Sequence, residues 1–455
     1  MSSLAPYRSK LAQISLTQRI GWVRQVQGLA VDAAGPDAVL GEMCRIVPRY
    51  GQRDKPSNGD AEGILAEVVG IKPGHVTLMP YDHLQGISAG CEVHALGQES
   101  SIGVGDSLLG RVIDGFGIPL DGMPAPTALR QRPLKAPPLN PMQRPRITNV
   151  LETGVRVVDA LLTLGQGQRI GIFAGSGVGK STLLGLFARH VLTRNDNEGR
   201  EQVNVIALIG ERGREVREFI EKQLGPEGLK RSVVVVATSD QPALSRLRAT
   251  YAALSIAEHF RDAGAHVLLT MDSITRFAMA RREVGLASGE PPTARGYTPS
   301  VFAELPQICE RCGTAPSGGA ISALFTVLVE GDDMNEPIAD ALRSILDGHI
   351  VLSRHLAHQG QYPAVDVLKS ASRLMPDLTG EVEQALALRA VKQLSLLERN
   401  RPMVDIGAYV EGANLELDQA LLREKPLREW LRQSAPGVPR ADALHQLKRA
   451  LESKP

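Results

Sequence analysis

At 455 residues, 43% of them hydrophobic, the chain has room for two to four domains, each with a core of its own. Lys plus Arg number 51 against 50 Asp plus Glu, which removes any global electrostatic reason to bind nucleic acid. No run of roughly eighteen apolar residues offers a membrane span, and the start Met1–Pro6 lacks the charged-then-apolar layout of a secretory signal, so a cytoplasmic protein is expected.

In chain order, residues 1–23 come first. Leu4, Tyr7, Leu11 and Ile14 recur at spacings of three and four among polar neighbours, the pattern of an amphipathic helix, which can pack on its own protein or dock a partner. From 24 to 97 the pattern changes to short β-prone runs broken by turns: 63–70, then Lys72-Pro73-Gly74, then 75–79. Several such strands predict a small closed β-barrel. Its sparse aromatics, Tyr50 and Tyr81 with Trp22 just before, make a poor stacking platform for single-stranded nucleic acid. Within the segment 98–374, a Pro-rich crossing from Arg132 to Pro145 introduces a core in which strands and helices alternate. Its strands are nearly continuous apolar runs (203–209, 232–236, 267–271), as expected of a mostly parallel sheet covered on both faces, an α/β core. From 375 to 455 the chain reads as helical, with Leu386, Ala390, Gln393, Leu394 and Leu397 tracing one helix and 443–451 another. Four cysteines are present, Cys44, Cys91, Cys309 and Cys312. Only the last two form a CxxC, without the second pair a zinc site needs, so they read as incidental thiols in a reducing compartment.

The chemistry concentrates in Ala174-Gly175-Ser176-Gly177-Val178-Gly179-Lys180-Ser181. The apolar run 169–173 precedes it, and Leu183, Leu184, Phe187 and Val191 follow at helical spacing, so its backbone N–H groups converge where a helix begins. That is the setting of a phosphate-binding loop: Gly175, Ser176, Gly177, Val178, Gly179 and Thr182 line it, Lys180 reaches the β- and γ-phosphates, and the Ser181 hydroxyl ligates Mg²⁺. Ala174 stands where the strict pattern has its first Gly, a change of one methyl group. Asp272 ends the strand 267–271, at the edge where a parallel sheet faces its ligand, and can hold the Mg²⁺ shell or cap the helix after it. Glu211, in Gly-Glu-Arg-Gly-Arg-Glu at 210–215, likewise follows a strand. Beside a phosphate loop it can polarise the water that attacks the γ-phosphate; alone it would be one member of a surface charge cluster.

The stretches 210–215, 109–122 (Leu-Gly-Arg-Val-Ile-Asp-Gly-Phe-Gly-Ile-Pro-Leu-Asp-Gly) and 296–306 (Gly-Tyr-Thr-Pro-Ser-Val-Phe-Ala-Glu-Leu-Pro) resemble the rotary ATPase superfamily. Within it, 330–340 and 346–353 resemble the type III secretion ATPases, most closely the flagellar protein-export ATPase. The resemblance covers about residues 24–410. It implies an N-terminal six-stranded barrel, a RecA-like P-loop ATPase core and a C-terminal helical domain, assembled as a homo-hexamer with nucleotide between subunits. It further implies that the chain hydrolyses ATP with Mg²⁺ to energise protein export. Glu211 resembles the catalytic carboxylate, Arg212 a neighbouring phosphate-site arginine, and Arg373, in Ser-Ala-Ser-Arg at 370–373, the arginine that one subunit inserts into its neighbour's site. Tyr362 matches the adenine-stacking aromatic, and Tyr409 matches loosely the residue closing the other side of that pocket. The implied partners are a regulatory stator-like subunit at the N-terminal helix, a central stalk-like export protein, export-gate membrane proteins that hold the chain at the inner membrane, and chaperone–substrate complexes, with no nucleic acid. The non-catalytic ring subunits of the superfamily lack the Glu at the position of Glu211, which this chain keeps. Competing expectations are a virulence-type injectisome ATPase, the catalytic subunit of a rotary ATP synthase, and a hexameric RNA translocase. The synthase carries an acidic coupling segment where 422–430 here is mixed and slightly basic.

Overall fold

The computed structural model describes residues 17–48, 63–193, 201–329, 331, 333–434 and 437–452. The amphipathic segment around Leu4–Ile14 therefore lies outside the described residues, as do Tyr50, Glu330 and Asp332. Six strands open the fold: β1 (Arg19–Gln27), β2 (Ala30–Ala34), β3 (Glu42–Val47), β4 (Ile64–Lys72), β5 (His75–Pro80) and β6 (Glu92–Glu99). They close into a barrel in the order β1-β2-β5-β4-β3-β6. Alternate residues, Val31 and Ala33, Cys44 and Ile46, Ala66 and Val68, Val76 and Leu78, fill its interior, as a period of two demands. Strand β1 begins at Arg19, inside the stretch expected to be a helix. Its pairing with β6, Arg19 opposite Ala95, completes the barrel. Gly21 permits this, because a Cβ there would meet the Gly35 carbonyl carbon at 2.2 Å.

Beyond the barrel, β7 (Ser101–Val104) pairs with β9 (Arg130–Pro133), and β10 (Val150–Leu151) with β11 (Leu164–Gly165). The stretch 109–122 contributes β8 (Val112–Ile113) and a loop closed by Arg111, whose Nε donates to Asp121 Oδ2 at 2.8 Å. The central sheet adds β12 (Arg169–Ala174), β13 (Gln202–Glu211), β14 (Ser232–Thr238), β15 (His266–Asp272), β16 (Gly313–Thr314), β17 (Ala320–Leu328), β18 (Gly348–Leu352) and β19 (Ala371–Ser372). Its order is β19-β18-β12-β17-β15-β13-β14-β8, parallel throughout except for β19 at one edge and β16, which lies beside β17. The apolar runs follow from burial on both faces. Val203, Val205, Ala207 and Ile209 of β13 pack with the helices Ala243–Asp262 and Ile274–Ala287, while Ile206 and Leu208 pack with Leu183, Leu184 and Phe187 of the helix Lys180–Thr193.

Three helices, Glu381–Asp405, Leu415–Leu431 and Arg440–Glu452, form the C-terminal region and pack on the short helix Arg156–Leu161 of the core. Ala387, Ala390, Gln393 and Leu397 are the buried face of the first, close to the stripe the sequence predicts. The Pro-rich crossing is clamped by Arg144, whose Nη1 donates to the Cys312 carbonyl at 3.2 Å. Cys309 and Cys312 are both buried, and desolvation pushes the Cys312 thiol up to about 12, so neither is a ready nucleophile or ligand. No helix among the described residues is long and apolar enough to cross a membrane.

Candidate functional site: a phosphate loop and two carboxylates

The loop 175–179 leaves the carboxyl end of β12, which lies between β17 and β18 in the sheet. Ala174 is buried, paired with Leu328 and Leu352, so its methyl group belongs to the core beneath the loop and not to the loop's ligand face. Val178 is buried and anchors the turn, while Ser176, Gly177, Ser181 and Thr182 are exposed. Gly177 and Gly179 have φ of 78° and 88°, left-handed values that a side chain would strain. The helix begins at Lys180, and its first-turn N–H groups have no intrahelical acceptor, which makes that end an anion site.

The Lys180 ammonium lies 2.5 Å from Asp272 Oδ1 and 3.6 Å from Glu211 Oε1. Three elements bring these groups together: the start of the Lys180–Thr193 helix and the carboxyl ends of β13 and β15, which pair in parallel with Leu208 opposite Asp272. Asp272 does not cap the next helix. Ser273 does, its hydroxyl accepting from the Arg276 N–H, and the Asp272 carboxylate instead accepts from Thr326 Oγ1 at 2.6 Å. Thr326 was not among the candidates from sequence. Its signal is a hydroxyl near the carboxyl end of β17, a strand whose one other polar residue, Ser322, lies toward its start.

Burial pulls the Lys180 ammonium down, but Asp272 and Glu211 outweigh it and the net shift is upward, so the lysine stays charged. Glu211 is pushed up to about 7: burial raises it, Lys180 opposes, and the carboxylates of Asp272 and Glu215 add to the rise. A carboxyl poised near neutrality at the end of a strand is suited to accept a proton from water. The Asp272 carboxylate and the Ser181 hydroxyl are hard oxygen donors at the mouth of the same loop, a donor set that fits Mg²⁺. Bound there, the ion would neutralise charge on the phosphates.

Of the remaining candidates, Tyr362 stands over the loop. Its ring carbons lie 3.5 Å from where a Gly179 side chain would begin, and the residue is 47% exposed. Tyr409 is held elsewhere, its hydroxyl donating to Asp418 Oδ1 at 2.6 Å on the hairpin of the C-terminal helices, and no atom of it lies within 4 Å of that Gly179 position. The Arg212 side chain is 79% exposed and 3.9 Å from Glu215. Arg373 follows β19, which runs antiparallel to β18, and its N–H donates to the Asp347 carbonyl at 3.0 Å. It therefore sits beside the amino end of β18. Its own phosphate loop lies past the carboxyl end of the neighbouring β12, roughly 13 Å along the strands. The exposed guanidinium donates to the Arg343 carbonyl at 3.3 Å.

Barrel, parallel sheet, phosphate loop and paired carboxylates define a P-loop ATPase of the rotary-ATPase type. Family models agree segment by segment: the ATP synthase alpha/beta family beta-barrel domain matches residues 23–97 and its nucleotide-binding domain residues 154–372, while the T3SS EscN ATPase C-terminal domain matches 379–449. The chain is 52% identical over 416 residues to the flagellum-specific ATP synthase of Bacillus subtilis, covering 91% of each. It is 47% identical to the type 3 secretion system ATPase of Xanthomonas euvesicatoria, over 93% of this chain and 92% of that one. The assembled ATPase EscN of enteropathogenic E. coli superposes with a TM-score of 0.86 at 41% identity, over 95% of this chain and 100% of EscN. A second EscN structure, in complex with its central stalk EscO, superposes at 0.82 over the same shares. The chain thus belongs to the type III secretion ATPases of the ATP synthase alpha/beta family and is an ATPase.

Proposed function

We propose that this chain hydrolyses Mg-ATP to drive protein export through a flagellar type III apparatus. The observation that carries the chemistry is the Lys180–Asp272–Glu211 cluster at the phosphate loop; the likeness to the flagellum-specific enzymes supports the setting. The loop amides and Lys180 bind the triphosphate, Asp272 and Ser181 hold the metal shell, and Glu211 takes the proton of the attacking water. Tyr362 stacks on the adenine. Tyr409, fixed on the helical hairpin, would contribute to the pocket only by moving away from Asp418. Arg373, at the opposite end of the strands from its own loop, serves the site of a neighbouring copy in a homo-hexamer, and the exposed Arg212, 3.9 Å from Glu215, meets phosphate. Partner readings follow from the family: a central stalk-like protein, in line with the EscN complex with its central stalk EscO, a stator-like regulator at residues 1–23, export-gate membrane proteins that hold the enzyme at the inner membrane, and chaperone–substrate complexes. An injectisome setting is the second reading, supported by the Xanthomonas relative. Deleting the coding region decides between them: loss of motility with intact effector secretion fits the flagellar reading, and the reverse overturns it. Complementation with Glu211→Gln should fail in either case, and its success would overturn the assignment of Glu211.

A further inference from the structure

Between the helices Leu415–Leu431 and Arg440–Glu452 the chain crosses back to the ATPase core, and one residue of that crossing ties three parts of the molecule together. The Gln433 N–H donates to the Tyr362 carbonyl at 2.8 Å. Its side chain accepts from the Arg156 N–H at 2.9 Å and donates to the Gly154 carbonyl at 2.7 Å. The residue is buried, and each of these groups is part of a fixed element. Arg156 opens a helix whose N-cap is Val155, a residue with no side-chain acceptor, so one of the orphan N–H groups of that first turn is satisfied by Gln433 from the C-terminal region. Adjacent bonds reinforce the seam: Arg432 Nη2 donates to the Gln359 carbonyl at 3.3 Å, and the Val438 N–H also donates to the Gly154 carbonyl, at 2.9 Å.

Tyr362 is thus gripped from behind by Gln433 while its ring faces Gly179 of the phosphate loop. Losing the two side-chain bonds would leave the Arg156 N–H unpaired and the Gly154 carbonyl with the Val438 N–H alone, and would free the crossing to withdraw, carrying the Tyr362 backbone with it. We infer that Gln433 is a positioning residue for the nucleotide base, so that the grip of the ATPase site on adenine is set by the C-terminal helical region. The inference rests on the reading of Tyr362 as the base-stacking aromatic.

The test compares two ligands that share phosphates and differ in the base. Affinities for Mg-ATP and Mg-tripolyphosphate are measured on the full chain by displacement of a fluorescent ATP analogue. Gln433→Ala should weaken ATP on the order of tenfold, as expected for two lost hydrogen bonds, and leave tripolyphosphate within about twofold. In turnover the loss should fall on KM, with kcat largely kept. Gln433→Met preserves the side-chain volume while removing both bonds and should behave alike, which guards against misfolding of the alanine variant. Gln433→Glu keeps the acceptor for Arg156 and should lose less. Tyr362→Ala is the reference: if it too leaves the ratio of the two affinities unchanged, the base-stacking reading itself falls. If Tyr362→Ala weakens ATP selectively while Gln433→Met does not, or if Gln433→Met weakens both ligands equally, the positioning role is overturned.

Discussion

Replacing Glu211 by Gln removes a proton acceptor and keeps the shape of the side chain. The carboxyl is pushed up to about 7 by burial, with Lys180 at 3.6 Å opposing and Asp272 and Glu215 adding to the rise. Because kcat/KM follows the ionisation of the free enzyme, it should fall about tenfold per pH unit below about 7 and level off above. Glu211→Gln should abolish that inflection and lower kcat by about 10² to 10⁴, roughly 3 to 5 kcal/mol of barrier, while ATP still binds through the loop and Lys180. Stability gives an independent reading. The folded carboxyl keeps its proton up to about 7 whereas the unfolded one releases it near 4.5, so the contribution of Glu211 to stability is fully present below 4.5 and is lost as pH rises through about 7. The Gln variant should therefore gain on the wild type in urea denaturation at about pH 8 relative to about pH 5. Phosphate release across that range, with nucleotide binding measured in parallel, checks the chemistry. Wild-type turnover in the Gln variant, or a flat kcat/KM profile in the wild type down to about pH 5.5, would refute the reasoning.

Three further outcomes are expected. Lys180→Ala leaves Asp272 and Glu211 facing each other without their cation; the nucleotide-free variant should lose roughly 3 kcal/mol of stability, and more at high pH than at low, as read by chemical denaturation. A smaller loss at high pH than at low would contradict the cluster's electrostatics. Asp347→Ala breaks the pair in which Arg169 Nε lies 2.9 Å from Asp347 Oδ2 and leaves the mostly buried guanidinium with Glu310 alone, which should cost about 1 to 3 kcal/mol; an unchanged melting temperature would count against it. Arg373→Ala should reduce turnover about 10³-fold or more, and mixing it with Glu211→Gln subunits should partly restore hydrolysis. Mixed rings as inactive as their components would remove Arg373 from the neighbour's site.

The loop, Glu211 and Asp272 were legible because each stands where a strongly apolar strand stops, and an abrupt polar residue at a strand end is a local signal. The barrel was legible from its short runs and turns, but the start of β1 was not: the expectation of a helix to residue 23 rests on the spacing of Leu4, Tyr7, Leu11 and Ile14, whereas the close approach of Gly21 to Gly35 and pairing with β6 make strand from Arg19 on. Thr326 and Gln433 were invisible for a different reason. Their roles depend on partners 54 and 71 positions away in sequence, Asp272 and Tyr362, which no periodicity encodes. Tyr409 shows the converse hazard: the sequence around it offers an aromatic at a plausible place, but Asp418, nine residues on, supplies a local acceptor for its hydroxyl.

On the proposed reading, a single chain holds an incomplete site: its lysine is already paired with two carboxylates, and its Arg373 lies away from its own phosphate loop. Within one subunit Lys180 is neutralised by two carboxylates, and one of these, Glu211, is driven toward its protonated form by the other and by burial. A triphosphate arriving at the loop would compete with Asp272 and Glu211 for the lysine, the same groups to which the proposed function assigns the chemistry. The charge that develops during transfer then calls for another cation, and the chain's own Arg373 lies at the opposite end of the sheet, tied through its backbone to Asp347 and hence to the Arg169 clamp at the base of β12. The strand that ends in the phosphate loop thus begins beside Arg373, the arginine proposed to serve a neighbouring copy.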